Sequence, residues 1–379
     1  MGDLFTLEYG KPVEDKESID GSVPVFGTNG QIGTSHLAPL CSHPSVILGR
    51  KGAYRGVHFS DRPFSVIDTA FYVEPISDVF DIKWLYYKLL TYDINSMDSG
   101  SAIPSTDRYQ IYSLPIEIPN LDVQRYIVRV LDSLNDKIAL NNRINHNLEE
   151  QALSLYNSWF VDFEPFRNGD FMDSELGLIP KGWHVGTLSD LGDIVAGGTP
   201  SKAKPEYYTD SGIHWLTPKD LSNHCGKYTS RGENDITPLG YQNSSAKLMP
   251  RGTVLFSSRA PIGYITIAKN DICTNQGFKS VVPTFAGTGY IYYWLKEHTE
   301  DIEQQASGST FKEASGSLMK SLPALVPQKD VLDRFEDALR PLLNAQENLE
   351  EESLTLESSR DHLLPSLMSG ALDFKQLTC

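Results

Sequence analysis

Residues Val123–Trp159 read VQRYIVRVLDSLNDKIALNNRINHNLEEQALSLYNSW. Within them lies a ladder of alternating four- and three-residue steps: Ile127, Leu131, Leu134, Ile138, Asn141, Asn145, Leu148, Ala152, Leu155 and Trp159. That spacing keeps a seam of side chains on one face of a slightly underwound helix, as in a coiled-coil strand. Adding 208 to each number yields a second ladder: Phe335, Leu339, Leu342, Gln346, Leu349, Ser353, Leu356, Arg360, Leu363 and Leu367. At ~1.5 Å per residue each run makes roughly 55 Å of helix. One such run alone suits a surface helix packed on a globular core. Two in register, with polar residues in mid-seam, favour mutual pairing. Asn141 and Asn145 facing Leu349 and Ser353 suggest polar contacts that fix the register, or seam positions facing solvent. Glu350-Glu351-Glu352 reads as a solvated face, with partner docking as the sharper alternative.

The offset continues outside the helices. Val46 maps to Val254, Lys51 to Arg259, Ser99-Gly100-Ser101 to Ser307-Gly308-Ser309, Leu114-Pro115 to Leu322-Pro323, Pro119 to Pro327 and Asp122-Val123 to Asp330-Val331. A gap-free register this long marks a tandem duplication. Upstream, Gly2-Asp3-Leu4 resembles Gly192-Asp193-Ile194 at an offset of 190, so the second unit carries about 18 extra residues in its front half. The second unit also has a leader, Ile179-Pro180-Lys181-Gly182-Trp183, without a counterpart in the first, so the chain is expected to begin inside repeat one. The expected division is a globular unit over 1–119, a long helix over 120–165, a second globular unit over 166–327, and a second long helix with a tail over 328–379.

Each globular unit mixes short β-rich runs with helices, an α+β pattern. Asn29-Gly30 marks a tight turn. Ser45 to Leu48 and Thr253 to Phe256 read as matching buried strands, and Ser65 to Val73 as another strand. Ile82 to Leu90 and Ile291 to Trp294 read as aromatic helices, with Tyr86, Tyr87, Tyr292 and Tyr293 as core rather than as platforms for stacked bases.

The 379 residues allow two domains with sizeable cores. No apolar run approaches the ~20 residues of a membrane span, and no export signal opens the chain. Cys41, Cys225, Cys273 and Cys379 form no paired spacing, which suits a reducing cytoplasm. The net charge of −16 divides as −6 over 1–120, −3 over 121–172, −1 over 173–328 and −6 over 329–379. So acidic a chain binds DNA poorly alone, since phosphate neutralisation supplies most non-specific affinity. Any DNA partner therefore implies other subunits that bring clamping charge.

No motif for catalysis is present. There is no GxxxxGK[ST] loop, Gly287-Thr288-Gly289 lacks the third glycine of a dinucleotide fingerprint, and the NPP[FY] tetrapeptide of adenine methyltransferases and the HExxH helix are missing. Neither His36, Cys41 and His43 nor His214, His224 and Cys225 have zinc-finger spacing, and Ser99-Gly100-Ser101 is not a GxSxG elbow. No catalytic residue and no metal ligand is expected; the chain reads as a scaffold that binds.

The ordered double set of motifs resembles the specificity (S) subunits of type I restriction–modification enzymes over nearly the whole chain. It comprises Pro180-Lys181-Gly182-Trp183, Leu191-Gly192-Asp193, the loop Ser257-Ser258-Arg259-Ala260-Pro261-Ile262-Gly263, a Gly-Ser loop before each Leu-Pro exit, and a long helix after each unit. The resemblance implies two target recognition domains, each reading half of a split double-stranded DNA site, with pseudo-twofold symmetry. It implies that the helices pair antiparallel, set the spacing between halves and dock two methyltransferase subunits. Those subunits would carry S-adenosylmethionine and methylate adenine; this chain would hold no cofactor. Motor-nuclease subunits are further partners in that family. The segment Leu372 to Gln376 is expected near residues 1–10, closing the ring.

For base contact the loops after the central strands are the first candidates: Arg50, Lys51 and Arg55 in unit one, Arg259 with Ser257 and Ser258 in unit two. Arg and Lys can bond guanine O6 and N7; plain surface charge or phosphate contact is the competing reading. Gln276, Lys202, Lys219, Lys312, Arg108 and Tyr109 are secondary candidates. A coiled-coil interaction scaffold that binds no DNA is the alternative function, favoured by the acidity.

Overall fold

In the computed structural model, residues 1–97, 104–222, 226–308 and 312–370 are described. Ser99-Gly100-Ser101, Ser309, His224, Cys225 and the tail from Leu372 lie outside them. The chain divides into two compact units, Met1–Ala139 with the chain from Leu354, and Leu140–Ser353. The long helices, Leu121–Phe160 and Lys329–Met368, each contribute to both units, and their bounds are 208 residues apart at either end.

The first unit is built on an antiparallel sheet ordered Phe5–Tyr9, Ala70–Pro75, Ser45–Gly49, Val57–Ser60. Its central strand, Ser45–Gly49, is buried throughout because both faces are covered. Val46 and Leu48 join Trp84, Leu85, Ile127 and Leu131 on the helical side, while Ile47 joins Phe26, Cys41, Phe64 and Val66 on the other. That is the period-two alternation of a strand between two layers. A second sheet, Gly30–Ser35, Val23–Gly27 and Ser65–Val66, forms the other layer.

The second unit repeats this plan. Its main sheet runs Gly192–Ala196, Lys279–Pro283, Val254–Ser258, Ile262–Ala268, Tyr228–Thr229, and its second sheet Tyr208–Thr209, Asp235–Ile236, Ile213–Leu216, Cys273–Thr274. Val254 and Phe256 again face the helical core and Leu255 the opposite one. The ladders locate the unequal front halves. Val25 pairs with Ser65 as Trp215 pairs with Cys273, an offset of 190 against 208. The 18 extra residues therefore fall between that strand and the central strand, a stretch in which the second unit has Tyr228–Thr229 and the helix Pro238–Gln242, while Asp235–Ile236 pairs with Ile213–Leu216 as Gly30–Ser35 pairs with Val23–Gly27. At the first strand the offset changes to 187, since Phe5 opposes Pro75 and Gly192 opposes Pro283. The match of Gly2-Asp3-Leu4 to Gly192-Asp193-Ile194 is thus three residues out of register: a loop-length difference is invisible without the strand pairing. Ser65 to Val73 is likewise two strands, broken by a turn in which Ala70 N–H donates to the Ile67 carbonyl (3.1 Å).

Each unit shows the long helices paired antiparallel. In the first, Ile127 and Leu131 share a core with Leu367 and Met368, and Arg360 Nη1 donates to Asn135 Oδ1 at 3.0 Å. In the second, Asn141 Nδ2 donates to Glu352 Oε2 (2.9 Å) and Ser353 Oγ (3.3 Å). Gln346 Nε2 reaches the Asn145 carbonyl at 3.3 Å, and Phe335 lies among Tyr156, Trp159 and Phe160. The other seam residues (Leu134, Ile138, Leu148, Leu155, Leu339, Leu342, Leu349 and Leu356) are buried or half-buried. Leu363 is the exception at 37 % exposed; Leu364 packs in its place. A straight helix of 3.6 residues per turn drifts from a strict seven-residue repeat, and here the step after Arg360 lengthens from three to four.

The aromatic helices dock on the long ones by their N-termini. In the first unit Asp81 caps Ile82–Leu89 from within, accepting from Lys83 N and Trp84 N, while Gln124 of the long helix accepts from Asp81 N at 2.7 Å. In the second, Gly289 stands where Asp81 does, and Glu336 of the long helix accepts from Gly289 N (3.2 Å) and Tyr290 N (2.8 Å). A Cβ on Gly289 would sit 2.2 Å from Leu339 Cδ2, so the approach admits no side chain. Tyr87, Tyr292 and Tyr293 are core, and Tyr86 is half-buried. Of Glu350-Glu351-Glu352, Glu351 and Glu352 are exposed, as a solvated face requires, but all three are engaged. Glu350 accepts from Lys227 N (2.8 Å) and Tyr228 N (3.1 Å), Glu351 pairs with Lys269 (3.4 Å), and Glu352 holds Asn141. Among the described residues, no helix is long and apolar enough to cross a membrane.

Two outcomes follow. Phe335→Ala empties the centre of an aromatic cluster and should lower unfolding free energy by about 3–5 kcal/mol in denaturant titration; a loss under ~1 kcal/mol would contradict the packing described. Burial works to raise the Glu149 carboxyl, but the ammonium groups of Lys227 and Lys296 outweigh it and hold it at about 2. A depressed carboxyl stabilises above its unfolded value of ~4.3 and loses that contribution as pH falls toward the folded value. The stability gap between wild type and Glu149→Gln should therefore be full at pH 7 and narrow below pH ~4.

Candidate nucleic-acid interface

Each central strand ends against two loops through the same backbone ties. In unit one Arg50 N donates to Thr69 O (2.8 Å) and Thr106 N to Arg50 O (2.9 Å). In unit two Ser258 N donates to Gly277 O (2.7 Å) and Ala314 N to Ser258 O (2.9 Å). All three positions are 208 apart, so one frame carries two sets of side chains.

On the first frame the Arg50 guanidinium lies over Tyr9 (4.8 Å to the ring centre) and Phe71 (5.7 Å), with Nη1 donating to the Asp68 carbonyl at 3.1 Å. Arg108 lies over Tyr9 (5.5 Å) and Tyr109 (5.2 Å), at the start of a short helix that Asp107 and Gln110 cap. Lys51 Nζ is 3.7 Å from Asp68 Oδ2. Tyr9 is 44 % exposed and Tyr109 65 %. Arg50 and Arg108 therefore meet at one exposed tyrosine, which stiffens two otherwise flexible cations. Gly10 permits the crossing beside it, since a Cβ there would lie 2.0 Å from the Ile67 carbonyl oxygen.

On the second frame Glu313 gathers the cations. Its carboxylate is 3.5 Å from Arg259 Nη1 and 3.1 Å from Lys279 Nζ, which also reaches Ser258 Oγ at 3.4 Å. Gln276 is exposed beside this frame, accepting from the Thr199 hydroxyl. Lys202 is exposed on the loop three residues beyond Thr199. Lys312 is exposed with Nζ 3.3 Å from the Glu303 carbonyl, and Lys219 with Nζ 3.4 Å from Glu233.

Three expected readers are structural instead. Arg55 is 2 % exposed, and its guanidinium donates to the carbonyls of Gly52 (2.9 Å), Asn95 (2.7 Å) and Met97 (3.0 Å). It closes the turn after the aromatic helix and has no freedom to meet a base. Ser257 Oγ donates to Pro261 O and accepts from Tyr264 N, both at 2.8 Å, while Ser258 Oγ donates to Gly277 O at 3.1 Å. Both hydroxyls are buried and build the frame. Conversely Tyr9, Asp68, Lys279 and Glu313 were not among the candidates. The offset pointed to two of them, since Asp68 stands 208 before Gln276 and Glu313 immediately follows Lys312.

Cys41, His43 and Glu74 cluster in unit one. Cys41 Sγ is 3.8 and 3.7 Å from the two nitrogens of His43 and 3.3 Å from its carbonyl. Burial raises the Cys41 thiol and so disfavours thiolate. The trio is a packed thiol beside a His43–Glu74 pair (3.2 Å).

A family model described as the type I restriction modification DNA specificity domain matches residues 1–150 and 180–354, once per repeat. The chain belongs to this family. It is 39 % identical over 197 residues to the type I restriction enzyme MjaIX specificity subunit of Methanocaldococcus jannaschii, a match covering 49 % of this chain and 45 % of that protein. It is 24 % identical over 375 residues to the HindI specificity subunit of Haemophilus influenzae, covering 81 % of each. The chain thus spans about half the length of the first relative. In fold it resembles the crystal structure of the S subunit of a type I restriction–modification system from M. genitalium, with a TM-score of 0.63 at 16 % identity, covering 97 % of this chain and 94 % of that one.

For this specificity-family chain, Arg55→Ala removes the guanidinium from the carbonyls of Gly52 and Asn95, and from those of Ile94 and Met97, which keep Met97 N and Thr106 Oγ1 as donors. It should lower the melting temperature by several degrees, equivalent to ~3 kcal/mol, while Lys51→Ala should leave it within about a degree. Equal effects in thermal unfolding would reverse the assignment of Arg55 as structural.

Proposed function

We propose that this chain is the DNA sequence-specificity subunit of a type I restriction–modification enzyme. Each globular unit reads one half of a bipartite site, and the long helices set the spacer and dock two methyltransferase subunits. The carrying observation is the pair of matched frames with unmatched side chains: Arg50, Lys51, Asp68 and Ser105 in the first unit stand where Ser258, Arg259, Gln276 and Glu313 stand in the second. The same scaffold with different donors and acceptors suits two unlike half-sites. The family match on both repeats supports this reading, and nothing supports the scaffold that binds no DNA.

The chain supplies no catalytic group in this reading. S-adenosylmethionine, and the charge that offsets a net −16, come with the methyltransferase partners in the cytoplasm; motor-nuclease subunits are the further partners of this reading. Arg50, Lys51, Arg108, Tyr109, Arg259, Gln276, Lys202, Lys219 and Lys312 are the proposed contacts. Asp68 and Glu313 hold cations that would otherwise grip any phosphate, which favours sequence over backbone.

Methylome sequencing with and without the gene should show one interrupted adenine-methylation motif that vanishes with it; an unchanged methylome would refute the reading. Arg259→Ala should relax a single position of one half-site, at about 1–3 kcal/mol of lost discrimination. Uniform weakening over all sequences would make Arg259 a phosphate contact instead. Seven residues added to both helices at the seam centre lengthen the strut by ~10 Å, so the spacer should grow by about three base pairs at ~3.4 Å each; an unchanged spacer removes the strut from that role.

A further inference from the structure

We propose that Lys227 is a positioning residue that holds the second reading unit on the long helices in one orientation, and so restricts the enzyme to one spacer length; the inference rests on the specificity-subunit reading. Lys227 lies in the stretch before the central strand that is 18 residues longer in the second repeat, and it is 7 % exposed. Its three ammonium protons are all engaged: by Tyr293 Oη (2.7 Å), by Gln346 Oε1 (2.8 Å) and by the Glu149 carboxylate. The ammonium also lies over the rings of Tyr292 (4.6 Å) and Tyr293 (4.8 Å).

The backbone of the same residue is held as firmly. Lys227 N donates to Glu350 at 2.8 Å, and Lys227 O accepts from Ile267 N (2.8 Å) and Thr266 Oγ1 (2.9 Å) on the main sheet. One residue therefore joins the reading sheet, the aromatic helix Thr288–Glu297, the first long helix through Glu149, and the second through Gln346 and Glu350. Glu149 is in turn shared by Lys296 (2.5 Å), Tyr293 Oη (2.9 Å) and Gln346 Nε2 (3.2 Å).

A closed buried network of this kind is satisfied in one arrangement only. A hydrophobic contact tolerates a small slide or tilt, whereas here a shift of about 1 Å breaks several charged hydrogen bonds at once. Buried ion pairs add little net stability compared with apolar replacements, and their best-attested effect is to select one geometry. The first unit ties its aromatic helix to the long helices by separate contacts rather than through one shared cation: Asp132 accepts from Tyr87 Oη (2.6 Å) and pairs with Lys83 (2.8 Å), Asn135 donates to Tyr87, Gln124 accepts from Asp81 N, and Lys88 Nζ reaches the Met368 carbonyl (3.0 Å).

The test uses the complete methyltransferase complex carrying Lys227→Met, or the double change Glu149→Met with Lys227→Met, which removes the buried pair together at similar volume and leaves only Lys296, 40 % exposed, without its carboxylate. Methylome sequencing reads the occupancy of sites whose half-sites match but whose spacer differs by one base pair. The expected result is unchanged half-site sequences with occupancy at the altered spacers raised about tenfold relative to wild type, the scale of one lost polar tie. A folded variant with a lower melting temperature and the wild-type spacer distribution would make Lys227 merely structural and overturn the inference. Absence of any bipartite methylation from the wild-type complex would instead overturn the function on which it rests.

Discussion

Two helices of 40 residues each cannot stand alone in water. Their exposed faces are rich in Glu, Asp, Asn and Arg, so each depends on burying its seam against the other. What fixes that pairing is polar. Leucine seams slide by a heptad at small cost, but Asn141 against Ser353 and Glu352 is satisfied in one register. Every other distance in the second unit follows, because the aromatic helix is capped by Glu336 and the insert is held by Glu350, both on the same long helix.

The acidity that argues against DNA binding looks different once placed. Glu149, Glu336 and Glu350 are engaged inside the second unit, where they cap a helix, hold backbone N–H groups and pair with lysines, and the exposed Glu351 and Glu352 hold Lys269 and Asn141. They are architectural carboxylates. Asp68, Glu233 and Glu313 do stand among the proposed contacts, each beside a cation. The charge sum therefore includes carboxylates held by the fold away from the loops, and it overstates repulsion there while leaving the need for basic partners intact.

What was legible in the sequence was whatever repeats. The 208 offset predicted both long helices, the paired central strands and the aromatic helices, because a period of 3.5 or 2 is a local property of the chain. Side-chain roles were less legible. Arg50, Lys51 and Arg55 look alike in a row of basic residues, and only the fold separates Arg55, turned in upon the carbonyls of 94–97, from its neighbours at the surface. Ser257 and Ser258 have the composition of a binding loop and the position of a strand end. Glu350-Glu351-Glu352 has the composition of a solvated face, and nothing local indicates that an insert more than 100 residues earlier lies on it.

The insert itself shows how a duplicated reader becomes asymmetric. Copies begin with the same contacts to their struts, and unlike half-sites require only that loop side chains diverge on a common frame, as Asp68 and Gln276 have. The second copy went further and gained a strand, Tyr228–Thr229, on the edge of its main sheet. An added edge strand needs a partner on its other side or a covering element. Here the covering element is the long helix, which meets the Lys227 and Tyr228 N–H groups with one carboxylate. Protecting the new edge thus created a second attachment to the strut, and the residue at that attachment became the most constrained cation in the unit.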